Sequence, residues 1–536
     1  MPPCLRGEFP FQLLVMTPAV PCPRGESSAD RLWLVAACGI ALLALALRLH
    51  DLGEHSLWGD EAHTARRAES LRAVAIERKL APLYAATRTA FLIGKDEWAI
   101  RLPHVLYGSA GVLLMAFAGR VFVGPRVGLV AAILLAVSPF HVFHSRDARH
   151  YSLFVLLTLV SMLLVRKAVE TRRASWTLAF LGSGLIGFHD HAFAIIPFAA
   201  HAIWGLLEIL RARRDGAPAR RPGLRAAALL GALAAMALAL YFLNPRLWRA
   251  AGSWMGGDQE RRFDVSIDTL RLILAWLGGG AGLSACLHAL LFAAGLISLA
   301  RRGLPAARLI AVTAITTAAA LLLVEGIGPT HPFRVRYTIF LLPAYLLGVS
   351  AGLCLAADLL RRAAGKLLPA HAGGSRDRWA GAALSHAVPV LALVAFTIPG
   401  LLWSFEYRSA DYRLAVEHLA RRMAPGDLLA LPPYRAERHF AGLRWYLSRR
   451  LPEREKDAVV VRTPGDVDAL LEAGKRVWLV GLSPSDLDPA EADPGLVPRL
   501  EEGFEDVAHT PPGRYSAALG PPDREEELVI RVSRRN

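Results

Sequence analysis

The chain of 536 residues is 54% hydrophobic and only 20% charged, with a formal net charge of +15. Its Arg and Lys residues cluster between long apolar runs instead of forming one basic domain, so the charge reads as membrane topology and excludes nucleic acid as its cause. The five cysteines, Cys4, Cys22, Cys38, Cys286 and Cys354, show neither zinc spacing nor a disulfide framework.

Residues 1–31 carry several Pro and Arg and are expected to form a cytoplasmic tail. The run Leu32–Leu47, with Ala44-Leu45-Ala46 after its centre, has the look of a signal peptide, but the many later apolar runs favour an uncleaved first helix. Runs long enough to cross a bilayer lie near 32–50, 102–123, 127–144, 150–166, 175–190, 191–210, 225–243, 280–300, 305–325, 336–359 and 380–403, about eleven spans. Ile267–Trp276 is shorter and reads as a surface or re-entrant helix ending at Gly278-Gly279-Gly280.

The connecting loops alternate in charge. Arg120 with Arg126, Arg166 to Arg173, 211–225, Arg301-Arg302 and 361–378 are basic and therefore cytoplasmic, which turns 51–101, 144–150, 189–191, 244–268 and 325–336 outward. In the first outer loop, 61–80 has high helix propensity and five basic residues; Pro82 breaks it, and a second helical stretch runs to Arg101, so that the loop can form a lid. From Asp411 the composition becomes that of a globular domain. Helical 411–423, 435–449 and 464–473 alternate with strand-like 427–431, 457–461, 475–480 and 526–533, which predicts a small α/β domain with a mainly parallel sheet. The expected architecture is a polytopic α-helical membrane domain over 32–403 and an extracytoplasmic α/β domain over 404–536, on the same side as the outer loops.

Three stretches carry candidate chemistry. In Ser56-Leu57-Trp58-Gly59-Asp60-Glu61-Ala62, two carboxylates stand where the chain leaves the membrane, a costly place without water, a partner charge or a substrate. The plainer account is a pair of acidic residues favoured at a helix N-terminus. At 100° per residue Asp60 and Glu61 diverge, so one is expected to meet a substrate while the other anchors the loop. In the second stretch, 138–151, a helix beginning near Asp147 would put Asp147 and Tyr151 on one face, with Arg149 directed elsewhere, toward a phosphate. The third, His331 to Tyr337, places Arg334 and Arg336 on the outer side, where the positive-inside rule disfavours them and an anionic partner such as a lipid phosphate accounts for them. His189, Asp190 and His191, with His144 or His331, are candidates for a divalent cation, against the commoner reading of hydrogen-bonded structural histidines.

The order Ser-Leu-Trp-x-Asp-Glu-Ala, Pro82-Leu83-Tyr84, Arg101-Leu102-Pro103, Asp147-Ala148-Arg149-x-Tyr151, His191-x-Phe193 and Arg336-Tyr337 with a later Pro343 resembles the GT-C glycosyltransferases over residues 32 to 410. Within them the chain is similar to bacterial relatives of protein mannosyltransferases and lipid A aminoarabinose transferases. The resemblance implies an enzyme that takes a sugar from a polyprenyl-phosphate carrier and passes it, with inversion, to an envelope lipid, glycan or protein on the outer face of the cytoplasmic membrane. It further implies Asp60 as general base, Glu61 or Asp147 in support, and Arg336 with Arg149 or Arg334 at the donor phosphate. Trp58, Tyr84, Arg101, Tyr151, His191 and Tyr337 would then contact substrate. No organic cofactor is implied. Ala81 and His104 depart from the pattern. The competing class, a transporter or lipid-linked sugar flippase, would be expected to carry its charges near the midplane rather than at the span ends.

Overall fold

The computed structural model describes residues 28–70, 81–171, 173–215, 267–327, 335–367, 375–406, 411–431, 437–481, 495–509 and 529–533. Eight helices among these are long and apolar enough to cross a bilayer, or nine if one bent pair counts as a single span. The protein is a multi-pass helical membrane protein carrying a small C-terminal sheet. The first span, α1 (Ser28–Leu49), is followed by two short helices, α2 (Gly59–Glu69) and α3 (Ala81–Ala90), and then by the long α4 (Glu97–Phe122). Pro82 stands in the first turn of α3, which has no use for the missing N–H; the end of the expected 61–80 stretch lies outside the described residues.

The expected span 127–144 is broken. Helices α5 (Pro125–Val137) and α6 (Pro139–Ser145) meet at 60°. Pro139 cannot donate to the preceding turn, and the Ser138 hydroxyl caps the new helix by accepting from His141 N at 3.4 Å. The carbonyls freed at the end of α5 need donors in a place without water. Arg48, fully buried on α1, supplies them, donating to Ala136 O at 3.1 Å and Leu135 O at 3.4 Å while also bonding His141 Nδ1 at 2.8 Å.

Helices α7 (Tyr151–Thr171), α8 (Ala174–Asp190) and α9 (Ile195–Arg214) follow. The 17 residues of α8 sit at the lower limit of a span. The expected span 225–243 lies outside the described residues. Helix α10 (Ile267–Leu277) has 11 residues, too few to cross, and ends in a turn where Gly279 takes φ +73° and its missing Cβ leaves room for Thr397 and Pro139. Then come α11 (Leu283–Arg301), α12 (Pro305–Ile327), a 3-10 turn (Val335–Leu341), α13 (Leu342–Leu367) and α14 (Ser375–Glu406). Gly295 of α11 faces Gly348 and Gly352 of α13, where any Cβ would collide with the opposing backbone; this is close packing of small residues in place of a hydrophobic drive that lipid cannot supply.

In the C-terminal domain, α15 (Tyr412–Arg422) is capped by Asp411, which accepts from Leu414 N at 3.0 Å. The elements β1 (Leu428–Leu431), α16 (Glu437–Arg450), α17 (Pro452–Lys456), β2 (Val459–Val460), α18 (Pro464–Glu472), β3 (Val477–Gly481), α19 (Leu496–Gly503), β4 (Phe504–His509) and β5 (Val529–Ser533) complete it. The sheet order is β2-β1-β3-β5-β4, with β1 parallel to β2 and β3, and β5 antiparallel to β3 and β4. The expectation of a mainly parallel sheet is therefore corrected to a mixed one. The missed strand is β4, whose Glu505 and Asp506 suit an exposed edge and hide the apolar pattern.

Period-2 alternation sorts the core into two layers. Leu429, Leu431, Trp478, Val480, Ile530 and Val532 pack with α15 and α16, while Ala430, Val477 and Leu479 pack with α18 and α19. The first layer continues without interruption into Leu57, Ala62, Ala65, Ile100 and Ala148. The sheet domain and the first loop of the membrane domain thus share one core.

Candidate active site

Glu61 fixes the loop. Its Oε1 accepts from Arg101 Nε at 2.8 Å and from Ala148 N at 2.8 Å; its Oε2 accepts from Arg101 Nη2 at 2.6 Å and Trp58 N at 3.3 Å. Arg101 also donates to Leu52 O, His55 O and Ser56 O at 2.9 to 3.0 Å, so all five of its N–H groups are engaged. Arg101 therefore clamps residues 52–61 with all of its donors. Glu61, with four bonds on its two oxygens, is likewise the anchoring member of the acidic pair.

Asp60 faces the other way, as the 100° turn requires. It is buried, with Oδ2 at 3.4 Å from Arg149 Nη2, and its backbone carbonyl accepts from Thr64 Oγ1 at 2.8 Å and Arg149 Nη1 at 3.4 Å. Arg149, expected at a phosphate, is brought to Asp60 instead. The stretch 147–150 is a turn and α7 starts only at Tyr151, so Asp147 and Tyr151 do not share a helical face. The turn is held because Ala148 N donates to Glu61 and Arg149 N to Asp147 O at 2.7 Å. Asp147 Oδ1 accepts from Trp58 Nε1 at 3.0 Å. Burial, then the nearby Glu61 charge, holds the Asp147 carboxyl well above the usual carboxylate range, with Arg149 and the Trp58 bond opposing.

Arg336 enters from the 3-10 turn, its guanidinium carbon 5.9 Å from the centres of both the Trp58 and Tyr151 rings. Tyr337, on the same turn, meets His191 at 5.4 Å between ring centres. His191 also lies 4.4 Å from His150 and stacks on Phe154 at 5.2 Å. Tyr84 is buried on α3, which packs against α2 and α8. Arg334 and His331 lie outside the described residues. No group of three His, Cys, Asp or Glu among the described residues is arranged to hold a metal ion.

Some neighbours escaped the sequence reading. Trp276 of α10 stacks near His144 at 6.1 Å and meets Phe140 at 4.8 Å and Trp403 at 6.1 Å, forming an aromatic wall that apolar composition alone does not distinguish from core. Thr64 is fixed to both Asp60 and Arg149. His104, noted in the sequence only as a departure, is 1% exposed beside Arg149.

The span ends of the membrane domain thus gather a carboxylate, two arginines and aromatic rings beside the sheet domain. Comparison with known proteins gives the following likenesses. The family model for dolichyl-phosphate-mannose-protein mannosyltransferase matches residues 80–241. YkcB of Bacillus subtilis (strain 168), which carries a mannosyltransferase name, is 28% identical over 114 residues; the match covers 21% of this chain and only 16% of that protein. Among solved structures, apo ArnT from Cupriavidus metallidurans is similar with a TM-score of 0.58 at 16% identity, covering 94% of this chain and 98% of that one. ArnT bound to undecaprenyl phosphate gives a TM-score of 0.54 at 16% identity, with 93% and 98% covered. The chain thus shares its fold with the two ArnT structures.

Proposed function

We propose that the protein is an inverting glycosyltransferase that moves a sugar from a polyprenyl-phosphate carrier to an acceptor hydroxyl of an envelope lipid, glycan or protein at the outer face of the cytoplasmic membrane. The observation that carries this reading is the division of labour in the acidic pair: Glu61 is saturated by Arg101, while Asp60 is held beside Arg149 and turned toward Arg336 and Tyr151. The undecaprenyl phosphate in an ArnT of like fold supports a polyprenyl carrier.

The acceptor oxygen attacks the anomeric carbon, the bond from that carbon to the phosphate oxygen breaks, and the phosphate leaves with the electron pair. Asp60 takes the acceptor proton, with the Arg149 guanidinium beside it. The phosphate needs charge stabilisation rather than a proton, which Arg336 supplies between two aromatic faces. Asp147, shifted toward its neutral form, orients Trp58 and leaves Asp60 as the base.

Asp60→Asn tests this. It is nearly isosteric, so donor binding should persist while transfer from undecaprenyl-phosphate sugars to an envelope extract falls about 10²- to 10⁴-fold. Near-normal transfer would remove Asp60 as base and shift that role to Asp147.

A further inference from the structure

Asp190 is the last residue of α8, at the negative end of the helix dipole, where a carboxylate is disfavoured. It is 0% exposed, and neither oxygen has a hydrogen-bond partner among the described residues. A buried carboxylate without compensation is rare and calls for an occupant. The charged group acting on it is Arg149, which already holds Asp60 and Thr64.

Two buried histidines lie near the same arginine. His104, on α4, reaches the Arg149 backbone, and its ring lies 6.1 Å from that of Tyr107, a half-buried phenol that feels the Asp190 charge. His150, in the turn beside Arg149, is without a partner on either nitrogen among the described residues. Asp190 and His150 thus present four buried polar atoms without a bond near one arginine of the proposed site.

We infer that Asp190, His104 and His150 form a polar subsite for the hydroxyl- or amine-bearing ring of the transferred sugar, with Asp190 the residue that discriminates among sugars. This rests on the glycosyl-transfer reading above. The chemistry matches: a carboxylate accepts from ring hydroxyls, and each neutral imidazole offers one donor and one acceptor, whereas a hydroxyl does both. A resident cation fits less well, since no group of three ligands is arranged for one among the described residues. A subsite built to bond hydroxyls would reject sugars that place them wrongly, because its buried groups would then stay unpaired.

The test is binding to the full-length protein of bare undecaprenyl phosphate and of undecaprenyl phosphate bearing mannose, glucose, galactose or 4-amino-4-deoxyarabinose. The parent should bind at least one sugar-bearing carrier more tightly than the bare one. Asp190→Asn should lose about 10- to 100-fold in that affinity, leave bare-carrier binding unchanged, and melt at or above the parent temperature because a buried carboxyl without a hydrogen-bond partner is gone. His104→Phe should reproduce the selective loss. A parent that does not distinguish sugar-bearing from bare carrier overturns the inference, as does equal weakening of both carriers in Asp190→Asn. A parent that discriminates among carriers yet transfers no sugar would instead remove the glycosyl-transfer reading and leave the subsite standing.

Discussion

Two buried carboxylates one residue apart have been given opposite tasks by their partners alone. Glu61 and Arg101 are 1% and 7% exposed, so the pair is held in a low-dielectric setting where losing one member leaves the other uncompensated. Glu61→Gln should therefore destabilise the protein by about 3 to 5 kcal/mol, seen as a lower melting temperature in detergent. Arg101→Lys should do nearly the same, since an ammonium cannot reproduce five donors in a planar fork. If either variant melted like the parent while losing turnover, Glu61 would be doing proton chemistry instead. His150 gives a second test. Burial first, then the charges of His191, Arg149, Arg336 and His144, pushes it well below 6.5. The unfolded chain takes up that proton more readily, so the contribution to stability is complete above pH 6.5 and is lost as pH falls toward the folded value. Asp147, raised by burial, works in the opposite direction. The melting temperature should drop on acidification below pH 6.5, and His150→Gln should flatten that limb; an unchanged slope would mean the histidine is not held neutral.

Helix α16 matters to the site through the loop that it holds. Tyr446 Oη accepts from Leu57 N at 2.8 Å and donates to Glu97 Oε1 at 2.8 Å, while Arg413 on α15 reaches Glu97, Gly53 O and Glu54 O. Burial and the Glu97 charge keep the phenol well above its ordinary pKa, so it remains a donor. Tyr446→Phe should leave Leu57 N–H unsatisfied, at about 1 to 3 kcal/mol, and amide exchange at Leu57 should quicken by about tenfold or more while the sheet strands stay protected. Unchanged exchange would show that Arg413 holds the loop unaided. The pattern of elements also explains what sequence could and could not disclose. Apolar runs mark most spans because lipid demands them. The break at Ser138-Pro139 is hidden because both arms are apolar, and its repair depends on Arg48, a contact 88 residues away. The partner of Arg101 was hidden for a similar reason: its motif is legible, but which carboxylate it meets, 40 residues earlier, is a matter of folding. Asp190 stood out only as one of five candidate cation ligands, since sequence cannot tell that its oxygens are left unbonded.

At the scale of the whole molecule, the candidate site and the sheet domain lie at one end of the bundle, while Arg120 pairs with Asp30 and Arg308 with Glu208 away from it. On the positive-inside rule we propose that the basic end is cytoplasmic. A reporter active only outside the cytoplasm should be active when fused after Ser404 and silent when fused within 211–225; the reverse would put the proposed chemistry on the wrong face.

The core shared between the first loop and the sheet domain has a consequence for biogenesis. Leu57 and Tyr446 are 389 residues apart, and at about 5 to 20 residues per second the ribosome needs about 20 to 80 s to make the second after the first. Throughout that interval Leu57, Ala62 and Ala65 lack the side chains that cover them in the finished protein. The acidic loop is therefore assembled last although it is synthesised early, so a nascent chain stalled before α16 should be inserted in the membrane yet catalytically silent.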